Sequence, residues 1–423
     1  IMADSSLVHG PLEFLFTIDE ETGLAGAHEL QPGFVQAKTL LNLDSEEEGA
    51  IYIGCSGGKD TQGVWTLALE DVPAKPVGLD VKDVRALMGR IEVVLGPTAS
   101  YDLVKERVER VFGIANFSKA GRAPRTFEAI ADSVLADLEG LAPQSFRVSA
   151  KRGDKSFPMT SPQLEGELGW RIVERFGWKV NLDHPEMTVM VEVLPNQAFY
   201  SFGKEKGAGG MPTGVSGRVA CLMSGGIDSP VAAWRLMKRG CSVVPVHFHS
   251  HPFLSRASQE KVREITEVLT RHQMRTTLKL VPFGELQRQV VLTVPPPLRV
   301  VIYRRLMLRI AERIARDCRA KALVTGEVIG QVASQTLENL TVIAGAVQMP
   351  ILRPLVGMDK EEIVAEAIRI GTYDISIIPD QDCCQLFTPR NPETHARHWQ
   401  AAEAEAKLPI EEMVKAAQDG TVT

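Results

Sequence analysis

The sequence predicts an α/β protein, with a parallel-sheet domain in its C-terminal half behind a smaller α+β module. Three observations carry this reading. After Arg218, apolar runs of strand length alternate with segments of helical periodicity, the pattern of βαβ units around a parallel sheet. The first of these runs, Val219–Met223, passes straight through the glycine turn Ser224-Gly225-Gly226-Ile227-Asp228-Ser229 into a helical segment at Pro230. Charge also changes sign along the chain. Residues 1–80 hold 3 Lys/Arg against 14 Asp/Glu and the remainder 44 against 39, which marks two pieces of different character.

The 423 residues and net charge of −6 suit roughly two to four globular domains. No apolar run approaches the roughly 18 residues of a membrane span, so no membrane partner is expected. Six cysteines are too few for a secreted disulfide framework in a chain of this length, and a reducing cytoplasm is the expected compartment. The basic excess beyond residue 80 keeps phosphate backbones among the expected partners.

Within residues 1–80, Leu12–Thr17 and Thr39–Leu43 read as strands with Glu20, Glu21 and Asp44 at their ends. The strings FLFTIDEETGLAGA and LLNLDSEEEGAIYIGCSGGKDT resemble cytosolic di-zinc dipeptidases. The His ligands of that family are missing here. A dipeptidase-like fragment without peptidase activity is expected, and no metal-ligating residue is assigned. Ser56–Thr61 imitates the later glycine turn, but Gln62–Thr66 reads as turn and strand where a helix should follow.

From Gly89 the character changes. Gly89–Leu95 alternates as a strand, and Asp102–Phe112 and Thr126–Leu138 have helical spacing. Ser145–Arg152 is a strand running into a basic turn, and Gln163–Phe176 is a helix. Thr188–Val193 and Ala198–Phe202 read as paired strands. RVFGIANFSKA, FRVSAKRGDKSFP and GAGGMPTGVSGRV resemble the THUMP module of the tRNA 4-thiouridine synthase (tRNA sulfurtransferase) family. That resemblance implies a grip on the tRNA acceptor end, with Arg147, Lys151, Arg152 and Lys155 as phosphate contacts. It also implies a preceding ferredoxin-like domain, of which only the second half is recognisable. The first half is expected to be replaced by the dipeptidase-like segment, joined near Asp80–Arg85, with Trp65–Leu69 available to pair with the exposed sheet edge.

In the C-terminal half the expected strands are Val219–Met223, Ser242–His247, Thr277–Val281 and Ala322–Thr325, with Thr341–Ile343 as a fifth candidate. A strand, glycine turn and helix start form an anion cradle, because consecutive N–H groups turn inward and the helix N-terminus adds positive charge. Pro230 suits a first helical turn. The turn lacks the Gly-Lys-Ser/Thr of a Walker loop. Arg299–Asp317 is a long helix with Ile302, Leu306, Ile310 and Ile314 facing the core, flanked by Arg304 and Arg305 as candidate phosphate or base contacts.

Cys383 and Cys384 lie in a polar, Pro-flanked loop. Adjacent cysteines, with Cα atoms only about 3.8 Å apart, rarely form a structural disulfide, and the spacing is not that of a zinc site. A reactive thiol is the better reading.

Ser-Gly-Gly-X-Asp-Ser resembles the PP-loop of ATP pyrophosphatases. LMSGGIDSPVAAW, PVHFHSHPF, YRRLMLRIAERIA, TGEVIGQVASQTLENL, RPLVGMDKEEI and IPDQDCCQLFTPRNPET resemble 4-thiouridine synthases over about 170 residues. The implied organisation is a partial ferredoxin-like domain (81–113), THUMP (114–204), linker (205–218), PP-loop domain (219–395) and helical tail (396–423). The implied ATP site comprises Leu222, Met223, Ser224, Gly225, Gly226, Ser229, His247, Phe248, Arg304, Gly326 and Gln335. Asp228 would manage Mg2+ and pyrophosphate, and Lys360 would stabilise charge during adenylation.

The implied reaction adenylates a tRNA uridine, at position eight, with ATP going to AMP and pyrophosphate. Persulfide sulfur on Cys384, or Cys383, then gives 4-thiouridine. A cysteine desulfurase would supply the sulfur, and Cys318, Cys221 and Cys383 are candidates for a resolving thiol. A homodimer is expected. Sulfur transfer to a carrier protein for thiazole and thiamine synthesis, or a non-catalytic tRNA-binding remnant, are the alternatives.

Overall fold

The computed structural model describes residues 80–87, 90–379, 389 and 391–423. The dipeptidase-like strings, Trp65–Leu69 and the cysteines Cys383 and Cys384 lie outside the described residues.

The described chain opens on an antiparallel hairpin, β1 (Val81–Leu87) and β2 (Arg90–Leu95), followed by α1 (Tyr101–Val108). The strand expected over Gly89–Leu95 is found as β2, and β1, which the sequence reading did not pick out, precedes it and pairs with it along its length. The β-branched residues Val81 and Val84 on one arm and Ile91, Val93 and Val94 on the other favour this pairing. The helix expected over Asp102–Phe112 stops at Val108. Beyond it, Phe112 leaves the helical face to stack on His272, with ring centroids 5.2 Å apart.

β3 (Asn116–Phe117) and β4 (Ala120–Ala123) lead to α2 (Phe127–Leu138), β5 (Phe146–Arg152) and α3 (Ser161–Phe176). β6 (Met187–Val193), β7 (Ala198–Ser201) and β8 (Glu205–Lys206) complete the module. Its sheet has the order β4-β7-β6-β5, with β5 and β6 parallel and the other pairs antiparallel. Ile130, Val134 and Leu138 of α2 and Leu164, Leu168 and Ile172 of α3 are fully buried with Val189 and Val193 of β6. Apolar residues at helical spacing thus meet alternate residues of a strand. α3 starts at a capping box, Thr160 with Gln163, and ends at Gly177 in the left-handed region, φ 68°.

The C-terminal domain begins with β9 (Arg218–Leu222), α4 (Asp228–Lys238), β10 (Ser242–His249), α5 (Ala257–Thr270) and β11 (Lys279–Pro282). α6 (Gly284–Thr293), α7 (Arg299–Asp317), β12 (Ala322–Val324), α8 (Leu337–Ala344) and β13 (Ile351–Leu352) follow. The remaining helices are α9 (Lys360–Ile370), α10 (Tyr373–Ser376), α11 (His398–Glu405) and α12 (Ile410–Asp419). All pairs in the sheet β11-β10-β9-β12-β13 are parallel. Alternation on β9 serves two cores. Ala220 packs with α6, α7 and α12, whereas Val219 and Cys221 pack with α4, α5 and α9.

The strand expected at Thr341–Ile343 is corrected: these residues lie in α8, and β13 is the fifth strand. Thr336 Oγ1 accepts a hydrogen bond from Asn339 N at 3.2 Å and caps the helix. Leu340, Val342 and Ile343 then bury at helical spacing. A cap and a buried face outweigh the few tenths of a kcal/mol that β-branched residues cost in a helix.

Candidate nucleotide site

β9 is the strand at which connections switch from one side of the sheet to the other, and open parallel sheets bind ligands beyond the carboxyl ends of strands at such a point. The cleft found there is lined by Leu222, Met223, Ser224, Asp228, Ser229, His247, Phe248, Arg304, Met307, Thr325, Gly326, Glu327 and Gln335. Its empty volume, counted out to the open mouth, is ≈ 720 Å³, within the roughly 300–1,000 Å³ of small-ligand pockets.

The glycine turn is held by its own serines. Ser224 N donates to Ser229 Oγ at 2.9 Å, Ser229 Oγ donates to Ser224 O at 3.1 Å, and Gly226 N donates to Ser224 Oγ at 3.3 Å. α4 starts with Ile227 as its N-cap, so no side chain caps its first N–H groups. These donors and the helix dipole are available to an anion.

The neighbouring strand ends close the walls. His247 Nδ1 lies 2.9 Å from Met223 O and is buried, tying the end of β10 to the end of β9. Gly326 lies against the turn itself: a Cβ there would sit 2.8 Å from Ser229 N and 2.9 Å from the carbonyl carbon of Asp228. Only glycine lets β12 run this close to the cradle. Gln335 is buried in the cleft wall, and its Oε1 has no hydrogen-bond partner, an acceptor placed for a ligand's donor.

At the mouth, Asp228 Oδ1 accepts from Lys360 Nζ at 2.6 Å and Oδ2 from Gln331 Nε2 at 3.1 Å. The capping box of Asp359 and Glu362 starts α9 and places Lys360 at its first position. Among the described residues no group of three His, Cys, Asp or Glu could hold a metal ion. A single carboxylate beside a phosphate cradle nonetheless suits Mg2+, which is held through one or two carboxylates, phosphate oxygens and retained waters.

The eleven expected nucleotide-site residues and Asp228 are placed as follows. Leu222, Met223, Ser224, Ser229, His247, Phe248, Arg304, Gly326 and Gln335 line the cleft with Asp228, and Gly225 and Gly226 form the turn without lining it. Arg305 is the correction. It is buried, its Nε and Nη2 on Glu405 at 2.7 and 2.8 Å, with Nη1 also donating to Val342 O. One residue along a helix turns the side chain about 100°, which sends Arg304 to the cleft and Arg305 to the opposite core. Sequence reasoning also missed Glu327, which is 3 % exposed. It accepts from Thr325 Oγ1 at 2.9 Å and Arg353 Nε at 2.7 Å and lies 3.8 Å from Arg304 Nη1. A carboxylate at a strand end, with arginines on two other elements, was the available signal.

The chain is similar to proteins that have been described. A protein of Thermus thermophilus described as a probable tRNA sulfurtransferase is 51 % identical over 318 residues, covering 75 % of this chain and 78 % of its own length. The chain belongs to the tRNA sulfurtransferase family. A probable tRNA sulfurtransferase of Moorella thermoacetica is 42 % identical over 338 residues, covering 80 % of this chain and 86 % of its own. The family model described as Thiamine biosynthesis protein (ThiI) matches residues 214–410, and the THUMP domain model matches 125–201. A solved 4-thiouridine synthetase–RNA complex with bound ATP superposes with a TM-score of 0.78 at 35 % identity, covering 88 % of this chain and 97 % of its own. The fold of this family member is therefore a THUMP module followed by a PP-loop domain.

The THUMP cations divide. Lys151 and Lys155 are exposed. Arg147 donates to Leu182 O at 3.1 Å and Thr188 Oγ1 at 3.3 Å, and Arg152 donates to Phe157 O at 3.4 Å, so both help hold loops. The candidate resolving thiols also separate. Cys221 is fully buried in β9, where burial pushes its thiol up to about 12. Cys318 caps the C-terminus of α7, its carbonyl accepting from Arg218 at the start of β9, at the ends of the strands opposite the cleft.

Proposed function

We propose that this protein is an ATP-dependent tRNA sulfurtransferase that converts a uridine, at position eight, to 4-thiouridine. The observation that carries the reading is the single cleft in which the uncapped start of α4, Arg304, Gly326 and Gln335 converge, in a chain of this family. The cradle binds the ATP phosphates, and the orphaned Gln335 Oε1 accepts a donor of the nucleoside. Asp228 would help hold Mg2+, whose charge would offset that of the leaving pyrophosphate. Lys360, 2.6 Å from Asp228, stabilises charge as the uridine C4 oxygen attacks the α-phosphorus. AMP on that oxygen turns a poor leaving group into a good one.

The terminal sulfur of a Cys384 or Cys383 persulfide then bonds to C4 and AMP departs. A second thiol cleaves the S–S bond, releasing 4-thiouridine and leaving a disulfide. Burial of Cys221 and the placement of Cys318 favour Cys383 or Cys384 for that second role. A cysteine desulfurase as sulfur donor, a homodimer and a cytoplasmic setting belong to the same reading. Lys151 and Lys155 are the THUMP residues best exposed for RNA.

Incubating the protein with unmodified tRNA, ATP, Mg2+, cysteine and a cysteine desulfurase should give 4-thiouridine at position eight by nucleoside mass spectrometry. Sulfur appearing only on a carrier protein's C-terminus would support the thiamine-pathway alternative, and no transfer to either would contradict the enzymatic reading.

A further inference from the structure

At the end of α4 remote from the cradle, about 15 Å along the helix, lies a second cleft. Gly210, Trp234, Arg235, Lys238, Arg239 and Glu366 line it. Its charges do not balance. Glu366 is its one carboxylate and is already taken, by Arg235 Nε and by Arg369 Nη2, both at 2.6 Å. Among the described residues no carboxylate lies within ion-pair distance of Lys238 or Arg239. The Lys238 ammonium and the Arg369 guanidinium both stand over the Trp234 ring, 5.3 and 4.6 Å from its centroid. Burial first, and the neighbouring Arg369 next, hold Lys238 below the usual lysine range. Cations crowded and partly desolvated around one carboxylate in this way are a poor arrangement without a further anion among them.

A helix C-terminus would oppose an anion, but here its carbonyls are used. Arg239 N donates to Arg235 O at 3.2 Å, Gly240 N to Met237 O at 2.9 Å, and Met211 N to Lys238 O at 2.9 Å. The last of these bonds fastens the segment leaving the THUMP module onto the cleft. Gly210 lies so close that a Cβ would run into the Lys238 carbonyl oxygen. The cleft therefore sits where the RNA-binding module joins the catalytic domain.

We propose that this cleft binds a backbone phosphate of the tRNA, gripping it between the THUMP module and the nucleotide site. The proposal rests on the tRNA-modifying function given above. Each phosphate contact releases counterions, so log K falls with log salt by about 0.7–0.9 per contact. Lys238→Gln/Arg239→Gln should flatten that slope by about 0.7–0.9 and weaken tRNA binding at 0.1 M salt by roughly fivefold or more. ATP affinity and the unfolding midpoint should stay at wild-type values. Both side chains reach solvent, so the double variant should fold, and Lys238→Glu alone provides a second variant that should weaken binding further.

The measurement is tRNA affinity across a salt series, with inorganic pyrophosphate as a competitor. Wild-type affinity and slope in both variants would overturn the proposal, as would pyrophosphate binding lost in the variants with tRNA binding untouched. If the wild-type protein itself fails to bind tRNA, it is the functional reading that falls.

Discussion

Cys384→Ser is expected to abolish 4-thiouridine formation, by at least about 10³-fold, while tRNA-dependent pyrophosphate release continues. Loss of a nucleophile removes the step that needs it and leaves preceding steps in place. Serine keeps the size of the side chain but cannot carry a persulfide. The described residues on either side of this loop are fixed at the nucleotide cleft. Ser376 Oγ donates to Gly226 O at 3.4 Å, and Asn339 Nδ2 donates to both Ala333 O and Glu393 O at 2.7 Å, next to Gln335. Cys383→Ser should instead retain adenylation and one turnover, and lose the multiple turnovers that need a resolving thiol. Thiolation retained by Cys384→Ser and lost by Cys383→Ser would exchange the two roles.

The second large effect is at Gly326. Gly326→Ala places a methyl 2.8 Å from Ser229 N and 2.9 Å from the Asp228 carbonyl carbon, both backbone atoms of the helix that starts the cradle. Neither can swing aside as a side-chain tip would. Such overpacking costs about 1–3 kcal/mol, and here the strain falls on the phosphate donors. ATP affinity should drop by roughly 10- to 100-fold, whereas THUMP-dependent tRNA binding should not change. Calorimetric titration with ATP measures the first and a filter or mobility assay the second. ATP affinity equal to wild type would show that the turn does not contact the phosphates.

The parts of the protein that were legible in the sequence are those governed by local periodicity. The Ile302, Leu306, Ile310 and Ile314 stripe predicted the buried face of α7, and all four residues are buried. The apolar run before the glycine turn predicted β9 and the cradle after it. Pairwise facts across the fold were not legible. Arg304 and Arg305 look alike in sequence, yet Glu405, a hundred residues away, takes Arg305 into the core. Thr341–Ile343 reads as a strand until the Thr336 cap is seen to start a helix through it. β1 carries charged residues, Lys82, Asp83 and Arg85, that obscure its alternation. Glu327 and Arg353 meet only because β12 and β13 lie side by side.

The most direct measurement of the account is the fate of ATP labelled at the α-phosphate, followed with and without unmodified tRNA, in the wild-type protein and in Asp228→Ala. The account predicts AMP and pyrophosphate, formed only when tRNA is present. It also predicts a rate roughly 10²- to 10³-fold lower without the Asp228 carboxylate, the range for losing one preorganised charged partner. Cleavage to ADP and inorganic phosphate, or AMP formation that proceeds equally well without Asp228, would contradict it.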